Sequence, residues 1–204
     1  NTSASVVQEM MKTLSTTLPF TDVKNTDWCF SEVARVYADG IMGGTSNTTF
    51  SPAGTLTRGQ VVAMLYRMAG SPAVTANTTG FSDVDNGAYY ADAVKWASGK
   101  EIVGGYADGT FAPNRAITRE QLAAILYRYA KANGADISVG EDTNLLSYKD
   151  FQSVGQYAVP ALQWAVGSGL IGGTTNAMLS PKGTATRAQA AVILVRFVGM
   201  TAAK

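Results

Sequence analysis

The chain contains no histidine and only one cysteine, Cys29. Without an imidazole there is no Ser-His-Asp or Cys-His catalytic set, and no His-ligated zinc. A single cysteine cannot form an internal disulfide, which excludes a disulfide-stapled scaffold but leaves an extracellular bacterial location open. Charge of either sign is scarce: 16 Lys plus Arg against 15 Asp plus Glu give a net charge of +1. The basic excess of a nucleic-acid-binding domain is therefore missing. No apolar run approaches the roughly 18 residues of a membrane span. Glycine-rich phosphate loops of the P-loop or dinucleotide type are also missing. No cofactor and no metal is called for. The chain starts at Asn1, carries no visible signal peptide, and reads as a piece of a longer, exported protein.

What is present is repetition. Three segments, 20–69, 81–131 and 148–198, follow one pattern, and Arg58, Arg119 and Arg187 fall in the same Thr-Arg-x-Gln setting, 61 and then 68 residues apart. Such a period marks one supersecondary unit used several times. Units of about 50 residues are too small for separate cores, so a single domain over 1–204 is expected. The connecting segments 70–80 and 132–147 are rich in Gly, Ser, Thr, Asn and Asp, as loops are. The third repeat carries one extra residue, near Ser153–Gln156. Ahead of the repeats, residues 3–17 have Val6, Val7, Met10, Met11 and Leu14 at helical spacing, ending at Pro19. This helix, assigned to the N-terminal segment 1–19, either caps an exposed repeat face or ends an upstream linker.

Each repeat reads as helix, loop, helix. The first helix covers roughly 30–39, 89–98 and 158–167, and Gly40, Gly99 and Gly169 are expected to stop it. An apolar pair and a double glycine follow, ending in Gly44, Gly105 and Gly173; they suggest a tight turn or a close backbone approach by a ligand. Asn47, Asp108 and Asn176 share one loop position, where side chains that bond their own backbone favour turns. Then come Phe50, Phe111 or Leu179 and a proline. Thr57, Thr118 and Thr186, with Gln60, Gln121 and Gln189, form capping boxes that start the second helix. Its wide apolar stripe, for example Leu122, Ile125, Leu126 and Tyr129, predicts a three-helix core shared by the three repeats.

Two features run against the local rules. Arg58, Arg119 and Arg187 stand at the first helical position, where a cation opposes the helix dipole at about 0.3–1 kcal/mol. A guanidinium beside free helix N–H groups suits a carboxylate ligand; the alternative is an internal ion pair with Asp22, Asp83 or Asp150, which also recur. Trp28, Tyr89 and Tyr157 are equivalent aromatics just before the first helix, either core residues or platforms for a sugar face. Trp96 and Trp164, inside that helix, read as packing residues. The carboxylates Asp22, Asp83, Glu120 and Asp150 could pair as acid and base, but Glu120 is matched by Gly59 and Ala188, and no asymmetric cluster stands out. Catalysis is not expected.

The opening Phe-x-Asp-Val, the Gly-Gly-Tyr-x-Asp-Gly-Thr-Phe-x-Pro stretch of repeat two and the Thr-Arg-x-Gln helix start resemble the S-layer homology domain family, over 20–198 and three times. The third repeat departs most, with Tyr148-Lys-Asp-Phe151 and Asn176-Ala-Met-Leu179. Gln60, Gln121 and Gln189 stand where the family usually has Glu. The resemblance implies an all-α fold: a pseudo-threefold unit around a central three-helix bundle, with grooves between neighbouring repeats. It implies non-covalent anchoring of bacterial surface proteins to a secondary cell-wall polysaccharide, and hence an extracellular place at the cell wall or S-layer. In many members the polymer ends in a pyruvylated N-acetylmannosamine. Arg58, Arg119 and Arg187 would hold the pyruvyl carboxylate, with Trp28, Tyr89, Tyr157, the loop residues Asn47, Asp108 and Asn176, and Gly44, Gly105 and Gly173 lining the grooves. The rivals are a peptidoglycan-binding version of the family and a protein-interaction scaffold. Replacing all three arginines by alanine is expected to abolish wall binding while the fold survives.

Overall fold

The computed structural model describes residues 17–202, so the expected N-terminal helix lies outside the described residues up to Ser15 and Thr16. Among the described residues six α-helices and no strands are found: α1 (Phe30–Ala38), α2 (Arg58–Met68), α3 (Ala91–Gly99), α4 (Arg119–Ala132), α5 (Val159–Gly167) and α6 (Arg187–Ala202). Short 3-10 turns at Phe151–Ser153 and Gln156–Ala158 take up the extra residue of the third repeat. The all-α reading and the helix-loop-helix repeat hold.

The long helices begin as their sequences dictate. Thr57 and Thr118 accept the N–H of Gln60 and Gln121, whose side chains reach back to the N-cap backbone. Thr186 and Gln189 make the same reciprocal pair. Just ahead of the boxes, the equivalent residues Leu56, Ile117 and Ala185 close a ring of three backbone hydrogen bonds. Ile117 donates to Leu56 (2.8 Å), Ala185 to Ile117 (3.2 Å) and Leu56 to Ala185 (3.4 Å). All three side chains are fully buried.

The described chain divides into two compact units that cut across the repeats: Thr55–Ala185, and the residues up to Gly54 together with those from Thr186 on. In the second of these, α1 of repeat one packs on α6 of repeat three, and Val33, Val36, Leu194 and Phe197 of these helices are buried. Within Thr55–Ala185, α2 packs on α3 and α4 on α5. In both units a long helix thus takes as partner the short helix of a different repeat. Two of the three tryptophans serve this packing, with Trp96 against Tyr66 and Tyr129 and Trp164 against Tyr127.

Between the helices, each loop is clamped by the recurring aspartate. Asp22 accepts the N–H groups of Phe50 and Ser51, Asp83 those of Phe111 and Ala112, and Asp150 those of Leu179 and Ser180. The clamp holds Ser51, Ala112 and Ser180 in the left-handed region, at φ 58°, 55° and 51°. These bonds turn the aspartates towards backbone donors rather than towards the side-chain ion pairs that the sequence left open. One expectation is corrected here. Gly40 and Gly169 stop their helices at positive φ, but in repeat two the left-handed residue is Glu101 (φ 58°), while Gly99 remains the last residue of α3. The loop geometry, not the glycine, fixes where the helix turns.

Candidate functional site

The three arginines at the helix starts are almost fully buried, at 7%, 7% and 6% exposure for Arg58, Arg119 and Arg187. Each spreads its fork over two carbonyls of another repeat's loop. Arg58 donates from Nε to Phe111 (2.9 Å) and from Nη2 to Gly104 (3.1 Å). Arg119 does so to Leu179 (2.9 Å) and Gly172 (2.8 Å), and Arg187 to Phe50 (2.7 Å) and Gly43 (2.6 Å). The guanidinium planes of Arg58 and Arg187 also lie over the rings of Phe111 and Phe50, at 4.7 and 4.6 Å.

The expectation of free helix N–H groups is therefore corrected. The first N–H of each long helix donates to the carbonyl of Arg115, Gly183 or Gly54, and the second to that of Pro113, Pro181 or Pro52. The capping threonine takes the third. The dipole end is closed by backbone, and the buried cations are offset by the carbonyls they grip. The arginines are staples between repeats as well as charges, so replacing them with alanine would leave buried carbonyls without donors.

Their electrostatic settings differ. Burial is the largest influence on each and lowers its pKa. The carboxylates of Asp150 and Asp22 oppose that effect at Arg119 and Arg187. Around Arg58 the opposing groups are the hydroxyls of Tyr106 and Tyr157, while the cations Arg115 and Arg128 add to the effect of burial.

Arg58 lies in the wall of a groove of about 370 Å³ within Thr55–Ala185. Repeat one gives only Arg58. The loop of repeat two gives Gly104, Gly105, Tyr106 and Arg115, and α4 gives Glu120, Gln121 and Arg128 around an apolar floor of Ala124 and Ile125. Repeat three gives Tyr157. Tyr106 carries two guanidiniums on its ring, Arg58 at 5.1 Å and Arg115 at 5.7 Å. Its hydroxyl accepts from Gln121 Nε2 (3.3 Å).

Tyr157 is half open to solvent, yet its hydroxyl donates to Glu120 Oε1 at 3.1 Å. Burial of that hydroxyl and the adjacent charge of Glu120 push its pKa up to about 12. Glu120 itself is 3% exposed and also accepts the Gly155 N–H (2.9 Å) and the Lys182 ammonium (2.5 Å). Its place in the other repeats is taken by Gly59 and Ala188. A β-carbon on Gly59 would meet the Tyr90 ring at 3.0 Å, so a small residue there answers a large aromatic.

Of the candidate ligand residues named from the sequence, the groove brings together Arg58, Gly105 and Tyr157, one from each repeat. Trp28 and Tyr89 are 68% and 65% exposed, and Tyr89 meets the edge of Tyr90. Asn47 is exposed. Asp108 accepts from the backbone and hydroxyl of Thr110, which lowers its pKa, and Asn176 sits at φ 61°. Those two have the geometry of turn residues. Gly44, Gly105 and Gly173 have a packing reason to be glycine. A β-carbon would lie 2.5, 2.4 and 2.8 Å from the rings of Phe20, Phe81 and Tyr148. The preceding glycines, Gly43, Gly104 and Gly172, face open space and supply the carbonyls gripped by the arginines.

Sequence reasoning missed Tyr106, Arg115, Gln121 and Arg128 as groove residues. Tyr106 and Arg115 are peculiar to repeat two, matched by Thr45 and Thr174 and by Gly54 and Gly183, so a search for repeated positions passes over them. Arg128 recurs as Arg67 and Arg196 and was visible in the alignment of repeats.

A sequence model of the S-layer homology domain matches three stretches, 19–62, 80–123 and 147–191. An endoglucanase of Bacillus sp. (strain KSM-635) is 37% identical over 180 residues, which is 88% of this chain and 19% of that protein. A cellulosome-anchoring protein of Acetivibrio thermocellus is 25% identical over 87% of this chain and 40% of its own length. A surface-layer 125 kDa protein of Lysinibacillus sphaericus is 28% identical over 78% of this chain and 13% of its own length. The chain thus spans well under half of each of these relatives.

Proposed function

The chain belongs to the S-layer homology domain family, a cell-surface anchoring module, and on that premise we propose that it binds a pyruvylated secondary cell-wall polysaccharide non-covalently. Recognition centres on the pyruvyl carboxylate. The observation that carries this reading is the groove around Arg58, a buried guanidinium whose near neighbours include two further cations, Arg115 and Arg128. A buried cation in a positive setting is stabilised by an incoming anion, and a guanidinium suits a carboxylate in particular. Tyr106 and Tyr157 supply aromatic faces for the sugar ring, and Gln121 supplies polar hydrogen-bonding groups. Arg119 and Arg187, which repeat the local geometry of Arg58, are proposed as the corresponding anion contacts of two further sites, with Trp28 and Tyr89 as open aromatic surfaces. The module works without catalysis.

The test is competition. The protein is sedimented with purified cell walls in the presence of free 4,6-pyruvylated N-acetylmannosamine or of plain N-acetylmannosamine. Release by the ketal sugar alone is the expected result. Equal release by both sugars would remove the carboxylate from the account. A cationic wall ligand, the peptidoglycan reading, is disfavoured by three arginines lining one groove.

A further inference from the structure

The groove around Arg58 holds more positive charge than one carboxylate requires. Three guanidiniums line it, Arg58, Arg115 and Arg128, against a single carboxylate, that of Glu120. Glu120 does not cancel them, because its oxygens already accept from Lys182, Gly155 and Tyr157. Arg115 has an aromatic contact with Tyr106, and neither Arg115 nor Arg128 has an acidic partner among the described residues. The charges are also separated in depth. Arg58 is buried with its fork on two carbonyls, Arg115 is exposed, and Arg128 is half-buried on α4. Arg128 shares one helix face with Gln121, Ala124 and Ile125, so that face runs as a stripe along the groove wall.

We propose that this groove takes a saccharide with two anionic groups, a carboxylate against Arg58 and a second carboxylate or phosphate on the neighbouring sugar held by Arg115 and Arg128. The proposal rests on the wall-polysaccharide reading and deepens it. Tyr106 couples the two subsites, since Arg58 and Arg115 both lie on its ring. The second subsite is a property of repeat two: Tyr106 and Arg115 are replaced by Thr and Gly in the other repeats.

The experiment is an NMR titration of the full ¹⁵N-labelled chain, reading affinity at the amides of Gly105 and Tyr106 so that other sites do not contribute. Three probes are used: the methyl glycoside of 4,6-pyruvylated N-acetylmannosamine, the same sugar linked to glucuronic acid, and the same sugar linked through a phosphodiester. Exposed charge pairs are individually weak, so the two arginines together are expected to favour the doubly charged probes by about tenfold. The R115A/R128A variant should lose that preference and bind all three probes alike, at whatever affinity it retains for the singly charged sugar. A preference for only one of the two doubly charged probes would support the proposal and identify the second group. Equal affinity of all three probes for the native protein would overturn it, as would a preference that survives in the variant. A singly charged sugar that leaves both amides unshifted would instead overturn the wall-polysaccharide reading, and this proposal with it.

Discussion

Arg58 carries two duties, and a mutation separates them. Its fork satisfies the carbonyls of Phe111 and Gly104, and its charge faces the groove. Alanine removes both. R58A is expected to lower stability by about 1–3 kcal/mol, from the buried Phe111 carbonyl left without a donor, as well as to weaken polysaccharide binding. R58K keeps the charge and loses the fork; denaturant unfolding beside a binding titration should show a smaller stability loss and a persistent binding defect. An R58A variant as stable as the native protein would contradict the staple. The aspartate clamps give a second prediction at this scale. Burial alone would raise the pKa of Asp22, but the N–H groups of Phe50 and Ser51, with the field of Arg187, bring it below its ordinary 3.8. A carboxylate depressed in the folded state contributes stability that is present above pH 3.8 and is lost as the pH falls through the lower folded value. An acid titration of stability should therefore fall more steeply below pH 4 in the native protein than in D22N.

At the scale of the element, the glycines and their stand-ins make sharp predictions. Glu101 holds φ 58° where the other repeats have Gly40 and Gly169. E101G is expected to stabilise by roughly 0.5–1 kcal/mol, read as a shift in melting temperature, because the strain of a left-handed non-glycine residue is relieved. Adjacent glycines should behave in opposite ways. G105A places a methyl 2.4 Å from the Phe81 ring and is expected to cost about 1–3 kcal/mol, whereas G104A meets nothing and should be near neutral for folding. The second helices were legible in the sequence because capping boxes and apolar stripes are local signals, readable residue by residue. The glycine stop in repeat two was not, because φ there is imposed by the loop that follows. Arg58, Arg119 and Arg187 were visible as violations of the dipole rule. Their burial was not, since it depends on carbonyls 46 to 144 residues away in sequence.

For the whole molecule, the arginine staples and the helix pairs run between repeats, so a site is assembled from several of them: Arg58, Gly105 and Tyr157 come from repeats one, two and three. Local sequence patterns name such residues but do not say which of them meet. The three equivalent arginines are also unequal. Asp150 and Asp22 offset Arg119 and Arg187, whereas Arg115 and Arg128 reinforce the positive field at Arg58. Loss of Arg58 should therefore weaken wall binding more than loss of Arg119 or Arg187, measured on the same walls with the three single glutamine variants, which remove the charge. Equal losses would mean that the local fields do not set the strength of each site. The central claim, recognition of a carboxylate on a wall polysaccharide, is tested most directly by calorimetric titration with purified polymer, intact or with its pyruvate ketals removed by mild acid. Heat of binding with the intact polymer and none with the treated one is the predicted result; equal binding to both would contradict the claim.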